Sequence, residues 1–179
     1  LRGKIFSKPR VDATERLGIA VLVCELRQLA VGSRHLTHFS ILTRRKGRTM
    51  SIENLEELFV HELKDILDAE RQITKALPKM IKAAENEDLQ AALEDHLHVT
   101  EEQIGRLETI FESLDKAVRG KHCAGMEGLL KEGDEMIKEE EKSSVLDAAM
   151  IGAAQKVEHY EIAAYGTLVE YAKLLGMDN

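Results

Sequence analysis

Between Met50 and Asn179 the apolar residues recur at intervals of three and four, a rhythm that fits helices and gives no strand signal. The first stripe reads Phe59, Leu63, Ile66, Ile73, Leu77, Met80 and Ala84, and Glu70 takes the stripe position between Ile66 and Ile73. Ser51 is placed to cap this helix, with Asn54, Glu56 and Glu57 in its first turns. Pro78 falls inside the stripe. It removes the hydrogen bond to the Thr74 carbonyl, which predicts a kink near residues 74–78 or a break. Asn86 caps a second helix, whose stripe is Leu89, Leu93, Leu97, Thr100, Ile104, Leu107, Phe111 and Leu114. Polar Thr100 sits in mid-stripe, with His96 one turn before it and Gln103 almost one turn after. A connection of about nine residues follows, long for a bundle, carrying Gly120 and Lys121-His122-Cys123.

The third helix is shorter: Met126, Leu129, Leu130, Gly133, Met136 and Ile137. Gly133 weakens it by about 1 kcal/mol relative to Ala, a cost tolerable where another group must come close. Ser144 with Asp147 three residues on resembles a capping box for the last helix. That helix spans residues 145–175 and stops at Gly176. Four amphipathic helices of this size predict an all-α antiparallel four-helix bundle.

The charge divides at Met50. Residues 1–49 hold 11 Lys and Arg against 3 Asp and Glu, whereas residues 50–179 hold 14 against 29. The basic segment reads as an N-terminal extension outside the fold, with Met50 as the natural start. A basic targeting peptide and a basic arm for nucleic acid are the other two readings of it. The acidic bundle itself repels phosphates, so no nucleic acid is expected there. No apolar run is long enough to cross a bilayer. Two lone cysteines, Cys24 and Cys123, suggest no disulfide framework, so a reducing, cytoplasmic setting is expected.

Glu158 and Glu161 lie three apart in the last helix and so point the same way. The apolar positions on that side are Ile151, Ala154, Ile162, Tyr165 and Leu168. Acidic groups facing a core must be neutralised, and a metal pair between helices is one solution. In bundle di-metal sites two helices each give a Glu and two each give a Glu-x-x-His pair. Here the inward candidates are Glu70 (or Glu62), His96 with Gln103, Glu132, and Glu158 with Glu161. Glu161 stands where the rule expects His, and His159, next to Glu158, is turned about 100° from it. The donor set of Glu70, His96, Glu132, Glu158 and Glu161 suits iron or manganese. Tyr165, one turn beyond Glu161, can hydrogen-bond a ligand carboxylate. The blander alternative pairs each Glu with a Lys or Arg at the surface and leaves His96 a hydrogen-bonded boundary residue. On that view Cys123 is a loop thiol, and His159 packs on a second face with Gly152 and Gly166.

Longer motifs point further. They are Leu58-Phe59-Val60-His61-Glu62-Leu63-Lys64-Asp65 with Asp68-Ala69-Glu70-Arg71-Gln72, then Ala76-Leu77-Pro78-Lys79-Met80, and His96-Leu97 with Thr100 and Gln103. Gly128-Leu129-Leu130-Lys131-Glu132-Gly133 and the stretch from Asp147 to Gly166 continue them. In these, residues 51–179 resemble the YciE/YciF family of ferritin-like stress proteins. The resemblance implies a ferritin-like bundle, a homodimer, and a site similar to di-iron carboxylate proteins. That family often shows a Glu at the position of Val99, from which this sequence departs. Oxidation of Fe(II) or reduction of peroxide is the chemistry such a site supports. The alternative is a metal-free helical dimer acting as a structural or interaction module.

Overall fold

The computed structural model describes residues 52–177, so the reading of residues 1–49 falls outside it. Four helices follow in order: α1 Leu55–Ala83, α2 Glu87–Ser113, α3 Ala124–Glu139 and α4 Ser144–Leu174. Among the described residues there is no strand, and the all-α antiparallel four-helix bundle is what forms. The short turns between α1 and α2 and between α3 and α4 make each pair neighbours. α1 is the hub. It packs against α2, α3 and α4, while α3 also packs against α4.

The apolar stripes become the core. Leu63, Ile66, Leu67 and Ile73 of α1 meet Leu107 and Phe111 of α2, Met126 of α3, and Leu146 and Met150 of α4, all fully buried. Burying one such side chain stabilises the fold by about 1.5–3 kcal/mol. Gly133 behaves as its cost suggested: a Cβ there would lie 3.3 Å from that of Ala153, so α3 and α4 approach closely. Gly176, with φ +71°, ends α4 in the left-handed conformation that glycine tolerates best.

Several local expectations shift. Ser51 lies outside the described residues, and the cap of α1 is Asn54, whose side chain accepts the Glu57 N–H at 2.8 Å. α1 runs through Pro78 without a break. The ring sits on the exposed side, and buried Leu77 and Met80 anchor the helix around it. The buried line of α4 passes through Leu146, Met150, Val157, Glu161 and Leu168, whereas Ile151 is 49% exposed. It therefore runs through Glu161 instead of beside it. Gly152, His159 and Gly166 face outward, and no described atom of another helix lies within 4 Å of where a Cβ of either glycine would be.

The expected capping box is also replaced. Ser143, not Ser144, caps α4 by accepting the Leu146 N–H at 3.2 Å. Asp147 is thereby moved past the capping position. Its carboxylate reaches instead to the α1–α2 turn, accepting the Glu85 and Asn86 N–H groups at 2.9 Å each. Two backbone donors at the start of one helix are thus satisfied by the start of another.

The long α2–α3 connection is strapped to α1. Lys121 N–H donates to the Lys64 carbonyl at 3.0 Å. Asp68 accepts the Cys123 N–H at 2.9 Å and the Gln72 amide at 2.7 Å. Cys123 is the last residue of this connection. It is buried at the N-cap of α3, 2.9 Å from the Tyr160 hydroxyl, which donates to Asp65 at 2.7 Å. Because the single Tyr160 proton goes to Asp65, the thiol is the donor to Tyr160. Burial, the largest influence, raises the thiol's pKa, so it is a poor nucleophile.

Asp147→Ala should remove the carboxylate acceptor of the Glu85 and Asn86 N–H groups, which water can partly replace, and lower stability by about 1–2 kcal/mol, read by urea unfolding, with Asp147→Asn losing less.

Candidate metal centre

Four of the five predicted ligands come together. Glu70 projects from mid-α1, where its stripe position sends it straight into the interior, and it is fully buried. His96 projects from α2, one turn before buried Thr100. Glu158 and Glu161 arrive from α4, one helical turn apart. His96 Nε2 lies 3.3 Å from Glu158 Oε1 and 3.7 Å from Glu161 Oε2. The second distance is ion-pair range and too long for a good hydrogen bond. One donor atom from each of His96, Glu158 and Glu161 falls within 4.8 Å of the others.

Burial is graded across the cluster. The Glu161 side chain is 6% exposed, His96 14% and Glu158 24%. Glu158 therefore marks the side facing water. Glu70 and Glu161 occupy the dry end. Glu70 Oε1 accepts the Tyr165 hydroxyl proton at 2.7 Å, the contact that the position of Tyr165 suggested.

The electrostatics are strained. Among the described residues, no Lys or Arg forms an ion pair with Glu70, Glu158 or Glu161; His96 lies against Glu158 and Glu161, and His159 adds a weaker attraction to Glu158. Burial, and then the charge of Glu161, push the Glu70 carboxyl up to about 8 against an ordinary 4.5, although the Tyr165 hydrogen bond opposes this. Burial likewise raises Glu158, with the nearby His96 opposing. Burial alone would lower His96, but Glu161 and Glu158 outweigh it and raise the imidazole. Like charges this close cannot all ionise unless a cation joins them.

Among the described residues, the buried side-chain atoms Glu70 Oε2, Glu161 Oε2, Thr100 Oγ and Gln103 Oε1 lack a hydrogen-bond partner. Such orphans are rare in native interiors and call for an explanation. Two are carboxylate oxygens of the cluster. The other two lie one and two turns along α2 from His96. Hard oxygens plus one imidazole are a fitting donor set for iron or manganese. Ligands about 2.1 Å from an ion span about 4 Å across it, so small side-chain rotations would close the cluster on a cation.

Glu132 is not part of this group. The buried face of α3 is set by Met126 and Gly133, and Glu132 stands about 100° round the helix from Gly133. There it is 62% exposed and paired with Lys156 at 2.7 Å. The hydrogen bond from Lys156, and then its charge, hold the Glu132 carboxyl below the usual range. Glu62 is also outside, 40% exposed and 3.1 Å from His61. Val99 is 46% exposed, so its position points away from the acidic centre, which α2 meets through His96. Sequence reasoning underweighted Thr100 and Gln103 as site residues. Their signal was present as polar side chains on an apolar stripe.

Residues 54–179 match the family described as a domain of unknown function, DUF892. Protein YciF of Escherichia coli strain K12 is 46% identical over 128 residues, covering 71% of this chain and 77% of that protein. Two solved structures are similar. YcfI of Rhodopseudomonas palustris, to which a structural role has been proposed, superposes with a TM-score of 0.70 at 49% identity, covering 73% of this chain and 83% of its own. The Escherichia coli stress protein YciF superposes with a TM-score of 0.67 at 46% identity, covering 70% and 79% respectively. With sequence and backbone in agreement over the whole bundle, the chain belongs to the DUF892 family, the family of YciF.

Proposed function

We propose that this chain is a ferritin-like stress-response protein that holds iron or manganese between α1, α2 and α4. The stress role is taken from its relative YciF. The observation that carries the metal reading is the group of His96, Glu158 and Glu161, with buried Glu70 acting on Glu161 from the dry side and two buried carboxylate oxygens lacking partners. His96, Glu158 and Glu161 would hold an ion, and Glu70 would add a carboxylate from the dry side. An ion there would supply Fe(II) oxidation or peroxide reduction. The chain's own contribution is positional. Tyr165 fixes Glu70, the surrounding aliphatic groups exclude water, and Glu158, the most exposed of the group, faces the solvent from which ions arrive. A second copy of the chain would cover exposed apolar residues of α4 such as Ile151 and Val169, each 49% exposed, in a homodimer.

A second reading, a metal-free scaffold, draws on the structural role proposed for YcfI. The two differ at Glu158. With metal as the tie, Glu158→Ala abolishes loading and removes the rise in melting temperature on adding Mn(II). For a scaffold, the same change leaves stability equal or higher, because an inward carboxylate without a partner is costly.

Metal analysis of protein purified without chelator, and again after anaerobic Fe(II) loading, should give about one equivalent or more per chain. Less than about a tenth of an equivalent in both samples would remove the metal reading.

The metal-free protein should also show a pH slope. Its folded state keeps the Glu70 proton up to about 8, whereas the unfolded chain releases it near the ordinary 4.5. The unfolded state therefore binds fewer protons between those values, and stability falls as pH rises from about 4.5 through about 8. Glu70→Gln should flatten this slope in urea melts across that range, and Mn(II) loading of the unaltered protein near pH 7 should release protons.

A further inference from the structure

A cavity of about 50 Å³ lies between α1, α3 and α4. Its inner walls are aliphatic, formed by Ile73, Leu77, Leu130, Ile137 and Val157, and His96 closes one side. Two features make it more than a packing gap. The first is its position: His96 lines the cavity and also stands 3.3 Å from Glu158, so one imidazole separates the void from the acidic centre. The second is its polarity. The other charged side chains on its wall, Lys79 and Asp134, are 47% and 33% exposed and pair with each other at the outer rim.

A void needs only about 10–15 Å³ to admit a water, but that water also needs two to four polar partners. Here the size suffices and the partners do not. Away from the rim, His96 supplies the only polar side chain of the lining. The cavity opens outward at the Lys79–Asp134 rim, and an inner wall with so few polar partners favours small uncharged molecules over water. Gly133 and Ala153 help maintain the space, since both line it with almost no side chain.

We infer that this cavity is a binding site for a small uncharged apolar molecule of the dioxygen class, and that it leads from the Lys79–Asp134 rim to the His96 wall of the acidic centre. The binding site stands on the cavity alone; its use as a path to a metal rests on the function proposed above.

The test uses the full chain, metal-free, with methyl-labelled Ile, Leu and Val. Xenon pressure should give saturable shifts confined to the methyls of Ile73, Leu77, Leu130, Ile137 and Val157. Dissolved dioxygen should broaden the same signals. Ala76→Leu and Ala154→Leu, which fill the void from opposite helices, should each lose both effects while keeping the remaining spectrum. Absence of saturable xenon shifts in the unaltered protein overturns the inference. So does their survival in a folded filling variant. If neither variant folds, the unaltered protein's xenon and dioxygen responses decide alone. Mn(II) titration of the same samples separates the two claims. Xenon binding without Mn(II) binding removes the metal reading and leaves the cavity site standing, and the converse removes only the cavity site.

Discussion

Three carboxylates and one imidazole share the interior of this bundle, and among the described residues no lysine or arginine pairs with them. Isolated buried charge is among the most expensive features a fold can carry, several kcal/mol per group even after relaxation. Without a cation the chain can lower that cost only by retaining protons, and burial shifts both Glu70 and Glu158 in that direction. The arrangement is therefore poised. It is tolerable when partly protonated, and a cation bound there would replace the protons.

The rest of the architecture holds these groups in place. α1 touches every other helix, so Glu70 sits on the most constrained element of the bundle. Asp147 ties the start of α4 to the α1–α2 turn, fixing the relative height of the helices that carry Glu70, His96 and Glu161. At the other end Asp68, Gln72 and the Cys123–Tyr160–Asp65 chain fasten the long α2–α3 connection to α1. These polar ties are local and directional, while the aliphatic core between them supplies the bulk of the stabilisation. The apolar cavity beside His96 lies within the same frame, where short side chains on α3 and α4 stop the core from filling completely.

Much of this was legible along the chain, because helical periodicity is a local property. The stripes placed all four helices, the Asn86 cap and the Gly176 stop held, and Gly133 marked a close approach before any partner was known. Glu70 was recognisable as an acid occupying a core position. Glu158 and Glu161 were recognisable as a pair on one face, and Tyr165 as a donor one turn away. Among the described residues no helix is long and apolar enough to cross a membrane, as hydropathy indicated.

What the sequence left open is a matter of rotation and reach. Glu132 and Glu161 both lie near apolar stripes, yet about 100° of rotation on α3 sends Glu132 to Lys156 and the surface. Periodicity defines a stripe only to within a residue or so, and a carboxylate at its edge can face either way. Asp147 and Cys123 looked local because their chain neighbours offered plausible roles, but their partners are 62 and 37 residues away. The sequence by itself determined which segments are helical and which acids stand near a core. Only the packing of α1 against α2 and α4 decided which of them meet, because burial and charge are properties of the surroundings that the other helices create.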